Sequence, residues 1–332
     1  MSKVLVTGGA GYVGSVLVPK LMAQEYGVRV LDTMWFGDKG LDKVKDGCDI
    51  VRGDVRDSDL VKKCMTGIDY VIHLANISND PCSELDHDLT RQVNFEATKT
   101  LVDAAKYQGV SRFIYASSGS VYGIKDFDEV TEDVELDPLT IYSKTKVWSE
   151  EILKDANSKD FTTVSIRPAT TFGYSPRQRL DLVVNIFTDH AVNKGILNVH
   201  GGEQMRPSIS IEDITDCYLM VLTAPKDKIE GQAFNVSDDN FSVMKIAEIV
   251  RDAVGDHVDI KVQKDVVDQR SYPMVARKIS ETIGFIPKIS MGKGVKNLAK
   301  AFQNGLIPNP DSPIYKNIQQ MKKLGIGTKN GS

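Results

Sequence analysis

Tyr142 is followed four residues later by Lys146, and on a helix that spacing sets both side chains on one face, ammonium beside phenol. A tyrosine in that position can serve as a general base toward a substrate hydroxyl. Bringing a phenol from about 10 to about 7 takes roughly 4 kcal/mol of preferential stabilisation of the phenolate. A positive charge about 4 Å away in a protein-like dielectric supplies on the order of 4 kcal/mol before desolvation is subtracted. Taken alone, Tyr-x-x-x-Lys equally describes a surface tyrosine and a solvated lysine, because short motifs have little specificity. The upstream sequence gives the pair its meaning.

Gly8, Gly11 and Gly14 follow the apolar run Val4-Leu5-Val6 and open a helix expected over 12–23. Glycines there permit a tight turn and let a pyrophosphate approach the helix N-terminus, where free amides and the helix dipole favour an anion. The strand before and the helix after turn a weak triplet into a dinucleotide signature that includes Tyr12 and Val13. Asp32 ends the second expected strand, eighteen residues past Gly14. Its carboxylate accepts hydrogen bonds from an adenosine ribose and repels a 2′-phosphate, so NAD is expected rather than NADP.

These residues need a scaffold that brings the ends of several strands together. Strand-like runs recur at 3–7, 28–32, 49–52, 70–74, 113–117 and 163–167, mostly separated by helical periodicity such as Leu89, Val93, Ala97, Leu101 and Ala104. Alternating strands and helices predict an α/β fold, a Rossmann-type doubly wound parallel sheet. Tyr142 and Lys146 sit on a helix expected over 142–156. Beyond Arg167 the alternation stops at Pro168, Pro176, Gly195, Gly201, Gly202 and Pro207. We therefore expect an NAD-binding domain over 1–174, with a returning segment about 208–237 that holds a helix and the strand 232–236. A smaller C-terminal α/β substrate domain is expected from 175–207 and 238–325, with helices near 243–254, 276–283 and 295–303.

The 332 residues are 41% hydrophobic and 26% charged, enough for a large core, and the net charge is -4. Without a basic stripe, nucleic acid is not an expected partner. The four cysteines, Cys48, Cys64, Cys82 and Cys217, form no C-x-x-C pair, so no zinc site is indicated and a reducing cytoplasm is expected. No apolar stretch reaches membrane-spanning length and the first strand begins at Lys3, so neither a membrane nor a targeting segment is expected.

Together the motifs resemble the extended short-chain dehydrogenase/reductases, the NAD-dependent epimerase/dehydratase family that acts on nucleotide sugars. The likeness covers about the first 290 residues. It rests on the glycine triplet, Gly53-Asp54-Val55, His73-Leu74-Ala75, Asn94, Ser117-Ser118-Gly119-Ser120-Val121-Tyr122-Gly123, the Tyr142/Lys146 pair and Arg167-Pro168. The resemblance implies that Asp54, Val55, Leu74, Ala75, Asn76, Ser117 and Pro168 bind the cofactor and that Asn94 supports it. It also implies that Ser118 completes a catalytic set with Tyr142 and Lys146, and that Lys146 holds the nicotinamide ribose.

Related 4,6-dehydratases carry an Asp-Glu pair just before Val-Tyr-Gly, as acid and base for loss of water. Here those positions are Gly119 and Ser120, so dehydration is disfavoured. Thr170 stands where the family often has asparagine, and Asn76 where it often has alanine. These departures are similar to a subgroup that includes GDP-heptose 4-dehydrogenases, as are Gly173-Tyr174-Ser175-Pro176-Arg177 and Asp181-Leu182-Val183-Val184-Asn185.

By the same resemblance the substrate is a nucleotide-diphosphate sugar, met by Ser118, Ser120, Thr170, Asn185, Arg206 and Arg270. Arg177 and Arg179 are looser candidates for its diphosphate, which suits the guanidinium fork. His200 is read equally as a polar contact or a structural histidine. The expected chemistry is oxidation of the sugar C4 hydroxyl to a ketone. Re-reduction on the other face gives a 4-epimerase, which has the larger family prior; release gives a 4-dehydrogenase. A reading of another class is a dinucleotide-sensing protein without turnover, since fold alone does not prove activity. A homodimer is implied through the helices expected over 89–105 and 142–156.

Overall fold

In chain order the strands are β1 (Lys3–Thr7), β2 (Gly27–Asp32), β3 (Asp49–Arg52), β4 (Tyr70–His73), β5 (Arg112–Ala116) and β6 (Thr162–Pro168). Then come β7 (Thr170–Phe172), β8 (Ile196–His200), β9 (Met205–Ser210), β10 (Gln232–Val236), β11 (Asp239–Ser242) and β12 (Asp259–Gln263). The computed structural model describes residues 1–125, 127–263 and 273–327.

Among the described residues one parallel sheet runs β10-β6-β5-β4-β1-β2-β3. The order reverses between β1 and β4, and the carboxyl ends of strands beside such a switch point form the binding crevice of open α/β sheets. The central strand shows why the sheet is covered on both faces. Val4 and Val6 enter one apolar cluster with Leu17, Val18 and Tyr218, while Leu5 enters another with Val61, Leu101 and Phe113. Period-two alternation with no polar face means helices on both sides.

His73 at the end of β4 cross-links this core. Its Nδ1 meets Thr7 Oγ1 at 2.6 Å and its Nε2 meets Thr98 Oγ1 at 3.0 Å. Burial, with the Lys146 charge nearby, lowers its pKa to about 3, so the ring stays neutral across physiological pH.

The helix expected over 89–105 is interrupted. It comprises His87–Arg91, a π-helical turn Gln92–Glu96 and Ala97–Tyr107. Within the turn the Asn94 carbonyl accepts from Thr98 Oγ1 and Ser149 Oγ at 2.8 and 3.0 Å, side-chain bonds typical of a locally widened helix.

After β6 the chain builds a second core. Phe172, Phe187, Leu197, Val199, Ile246, Val250 and Val295 pack helices Val183–Lys194, Val243–Val254 and Met291–Gln303 together. A short sheet β11-β9-β7 and the pair β12-β8 complete this unit. Two later segments, expected within it, return to the first unit instead. Ile279 and Phe285 join the core under β10, and Met321 of helix Asn317–Lys323 joins the opposite face. Among the described residues no helix is long and apolar enough to cross a membrane.

Candidate active site

Gly8 turns the chain out of β1 at φ +73°, and a Cβ there would stand 2.7 Å from the Ala75 amide nitrogen. A Cβ on Gly14 would lie 2.5 Å from the Gly8 carbonyl oxygen. The turn is therefore as tight as a chain without side chains permits, and it leaves the start of helix Gly14–Ala23 bare. Gly8→Ala is expected to destabilise the fold by about 2–4 kcal/mol and to weaken NAD binding, from strain at positive φ plus collision with the β4 loop. Calorimetric titration and urea unfolding check both effects.

Asp32 stands at the end of β2. Its Oδ2 accepts from the Ala10 amide at 3.0 Å and its Oδ1 from Met34 at 2.7 Å. Burial raises its pKa, opposed by those two amides and by the Arg177 charge.

Gly8, Gly11, Tyr12, Val13, Gly14 and Asp32 line one side of a cleft of about 880 Å³. Asp54, Val55, Leu74, Ala75, Asn76, Ser117 and Pro168 line it as well. Two buried polar atoms at this cleft have no protein partner, Asn76 Oδ1 and Arg177 Nε. An acceptor and a donor left unpaired beside a glycine cradle fit a polar, anionic ligand.

The catalytic helix, Ile141–Ala156, begins with a reciprocal cap. Thr140 Oγ1 accepts from the Ser143 amide at 3.2 Å, and Ser143 Oγ accepts from the Thr140 amide at 3.0 Å. Thr140 Oγ1 also donates to Asp80 Oδ1 at 2.6 Å, fixing the helix start to the loop after β4. Tyr142 therefore enters the cleft from the first turn, facing the wall formed by Ser118 and Ser120. Ser118 Oγ accepts from Ser120 Oγ at 2.9 Å and from the Ser120 amide at 3.2 Å.

Lys146 lies behind Tyr142 and is only 1% exposed. Its Nζ is 5.6 Å from the Tyr142 ring centroid and 4.8 Å from that of Tyr115, and it donates to the Ala116 carbonyl at 2.6 Å. Burial lowers its pKa to about 7, with Glu150 opposing the shift.

Glu150, one turn further along, was not singled out by spacing. Its carboxylate takes Nε and Nη2 of Arg167, the latter at 2.6 Å, and the Ser117 hydroxyl. Arg167 Nη1 donates to the Tyr122 hydroxyl at 2.8 Å, which donates to Asn235 Oδ1 at 2.7 Å. The Arg167 and Glu150 side chains are 6% and 10% exposed. Glu150→Gln leaves a buried guanidinium without its counter-charge and is expected to cost about 3–5 kcal/mol in urea unfolding. A loss under about 1 kcal/mol would mean that the pair is screened as at a surface.

Ser120, Thr170 and Arg206 line the outer part of the same cleft, with His200, Asn198 and Gln204 of the second unit. Asn185, expected as a substrate contact, does not reach it. Its Oδ1 accepts from the Gly173 amide at 2.9 Å, and its Nδ2 donates to Tyr12 Oη and the Arg179 carbonyl, both at 3.0 Å. Every polar group of this amide is used to hold the turn after β7. Asn94, expected at the cofactor, is likewise buried behind the wall. Its side chain pairs with the backbone of Ile77 at 2.7 and 3.1 Å, so it braces the loop that carries Ala75 and Asn76. Arg177 and Arg179 sit not with the substrate candidates but by the Asp32 loop, where the Arg177 guanidinium is 4.0 Å from the Phe36 ring centroid. Arg270 lies outside the described residues. Among the described residues no cluster of His, Cys, Asp or Glu could hold a metal.

A parallel sheet with its switch point at β1 and β4, a glycine turn against that crevice and a strand-end aspartate define a Rossmann-type dinucleotide-binding protein. Matching the model described as "NAD dependent epimerase/dehydratase family" over residues 4–237, the chain belongs to that family. Its cofactor is NAD.

Among the relatives, an uncharacterised protein y4nG of Sinorhizobium fredii is 29% identical over 245 residues, covering 73% of this chain, which spans 57% of that protein's length. The UDP-glucose 4-epimerase of Mycolicibacterium smegmatis is 28% identical over 91% of this chain and 99% of its own. A solved structure of UDP-glucuronic acid 4-epimerase from Bacillus cereus, in complex with UDP-glucuronic acid and NAD, superposes with a TM-score of 0.81. It is 25% identical and covers 91% of this chain and 99% of its own.

Proposed function

We propose that this chain oxidises the C4 hydroxyl of a nucleotide-diphosphate sugar and returns the hydrogen to the opposite face, as a 4-epimerase. The observation that carries the reading is Lys146, a buried amine held behind the Tyr142 ring where that ring enters the cleft. Tyr142 takes the proton of the 4-hydroxyl, Ser118 orients that hydroxyl, and Lys146 supplies the charge that favours the phenolate. NAD supplies the hydride acceptor, and the glycine turn, Asp32 and Ala75 are the residues that would hold it.

Two further features support epimerisation over dehydration. Gly119 and Ser120 offer no acid–base pair, and the Ser120 hydroxyl is bonded to Ser118. The relatives named above include 4-epimerases that match this chain along nearly its whole length.

Incubation with UDP-, GDP-, dTDP- and CDP-sugars, read by product NMR, tests the reading. A 4-epimer without net NADH is the expected result. The resemblance of 173–177 and 181–185 to the heptose dehydrogenase subgroup favours a second reading, release of the 4-keto product with one NADH per turnover. A 4,6-dehydrated product would overturn both. The family reading also carries a homodimer, which a single-chain mass in solution would refute.

A further inference from the structure

Two cations in the cleft are not used by the chemistry at Tyr142. Arg177 and Arg179 are 6% and 8% exposed, an unusual degree of burial for guanidinium groups. Arg179 is answered by Asp181, at 2.8 Å from Nε and 3.1 Å from Nη2. Arg177 has no carboxylate partner in hydrogen-bond reach: its Nη2 donates to Asn317 Oδ1 at 2.6 Å, and its Nε has no partner. Burial, and then the neighbouring Arg179 charge, lower the pKa of Arg177 to about 9, the mark of a site that lacks negative charge.

The position of the pair is fixed by the segment that carries it. Ser175 Oγ donates to the Tyr12 carbonyl at 2.7 Å and lies 3.0 Å from Ser15 Oγ. A Cβ on Gly40 would touch Ser15 at 2.7 Å and Arg177 Cβ at 3.3 Å. The segment therefore runs against the amino end of helix Gly14–Ala23, and both arginines line the cleft beside the glycine turn. Bare amides on one side and two guanidinium forks on the other suit a doubly charged anion.

Asn317 ties this arrangement together. Besides accepting from Arg177, it donates its Nδ2 to Ser78 Oγ at 2.9 Å and its amide to Asp181 Oδ2 at 3.0 Å. Gln320 Nε2, one turn later, donates to the Trp35 carbonyl at 3.0 Å. One asparagine thus joins the loop after β4, the arginine segment and the C-terminal helix.

We propose that Arg177 and Arg179 clamp the diphosphate of NAD, and that Asn317 latches the clamp so that the cofactor is retained between turnovers. The assignment rests on NAD as the cofactor and is independent of which sugar is oxidised, so it is tested by binding alone, without sugar.

Calorimetric titration with NAD, ADP and adenosine is the experiment. Arg177→Gln is expected to weaken NAD and ADP by about tenfold to hundredfold while leaving adenosine within about twofold. An equal loss for all three ligands, or none, would overturn the clamp. Arg177→Lys guards against a folding failure, since it keeps charge and stem but not the fork; it should lose several-fold for NAD and ADP, and an unchanged ADP affinity refutes the assignment. Asn317→Ala should speed dissociation of labelled NAD by about tenfold, as expected for the loss of a closing contact to a charged group. An unchanged rate would remove the latch.

Discussion

Tyr142→Phe should keep NAD affinity within about twofold of the parent and lose roughly 10³-fold in kcat, the usual weight of a positioned proton acceptor. The substitution removes one hydroxyl and leaves the ring that packs over Lys146, 5.6 Å from its Nζ. The helix start is held by Thr140 and Ser143, not by the phenol, so the cleft should keep its shape. The effect therefore belongs in turnover and not in binding. Steady-state kinetics beside calorimetric NAD titration separate the two. Turnover within tenfold of the parent would take Tyr142 out of the mechanism and favour a dinucleotide-binding protein without the proposed chemistry.

Lys146→Met should act in opposite directions on activity and on stability. Burial lowers the amine from its ordinary 10.5 to about 7. Because the folded-state value is the lower one, protonation opposes folding. That cost is complete below about pH 7 and fades as pH rises toward 10.5, where the unfolded chain also loses its proton. The shift sets a ceiling of ~5 kcal/mol on the cost. Against it stands the bond to the Ala116 carbonyl, whose loss leaves a buried acceptor unpaired at about 1–3 kcal/mol. Methionine keeps most of the volume, so packing changes little.

The expected balance is a gain of about 1–3 kcal/mol at pH 6 that vanishes by about pH 10, with kcat reduced about 10²–10³-fold. Urea unfolding at the two pH values, beside kinetics, checks it. Equal stability of parent and variant at pH 6 would mean that the buried amine is stabilised by more than Glu150 and the Ala116 carbonyl.

The parts of this molecule legible in the sequence are those in which neighbours along the chain are neighbours in space. Gly8, Gly11 and Gly14 form one turn, and Tyr142 and Lys146 share one helix face. The strands of the large sheet are continuous apolar runs, because both faces are covered. The partners of Asn185 could not be read this way, since Tyr12 is 173 residues away and only the fold brings that hydroxyl to the amide. Its motif pointed to a ligand, and its hydrogen bonds are spent on the chain itself. Glu150 lies four residues past Lys146, but its meaning comes from Arg167 on another element. The short strands β7, β8, β9, β11 and β12 escaped notice because Gly and Pro break their pattern and their alternation is brief. Arg177 and Arg179 were read as cations for a diphosphate, and their place beside the glycine helix depends on contacts to Ser15 and Gly40 that no local spacing encodes.

The widened turn at Gln92–Glu96 sets an angular phase. Each residue of an ordinary helix advances the side-chain direction by about 100°, and a π-turn holds one residue more than a regular turn would. Were that extra residue deleted, helix Ala97–Tyr107 would restart rotated by about that angle. Thr98 would swing off the His73 ring, and Leu101 would leave the sheet for solvent. Natural length variation in this stretch should therefore come in whole turns or not at all, because the irregularity works as a key that admits the following helix in a single orientation.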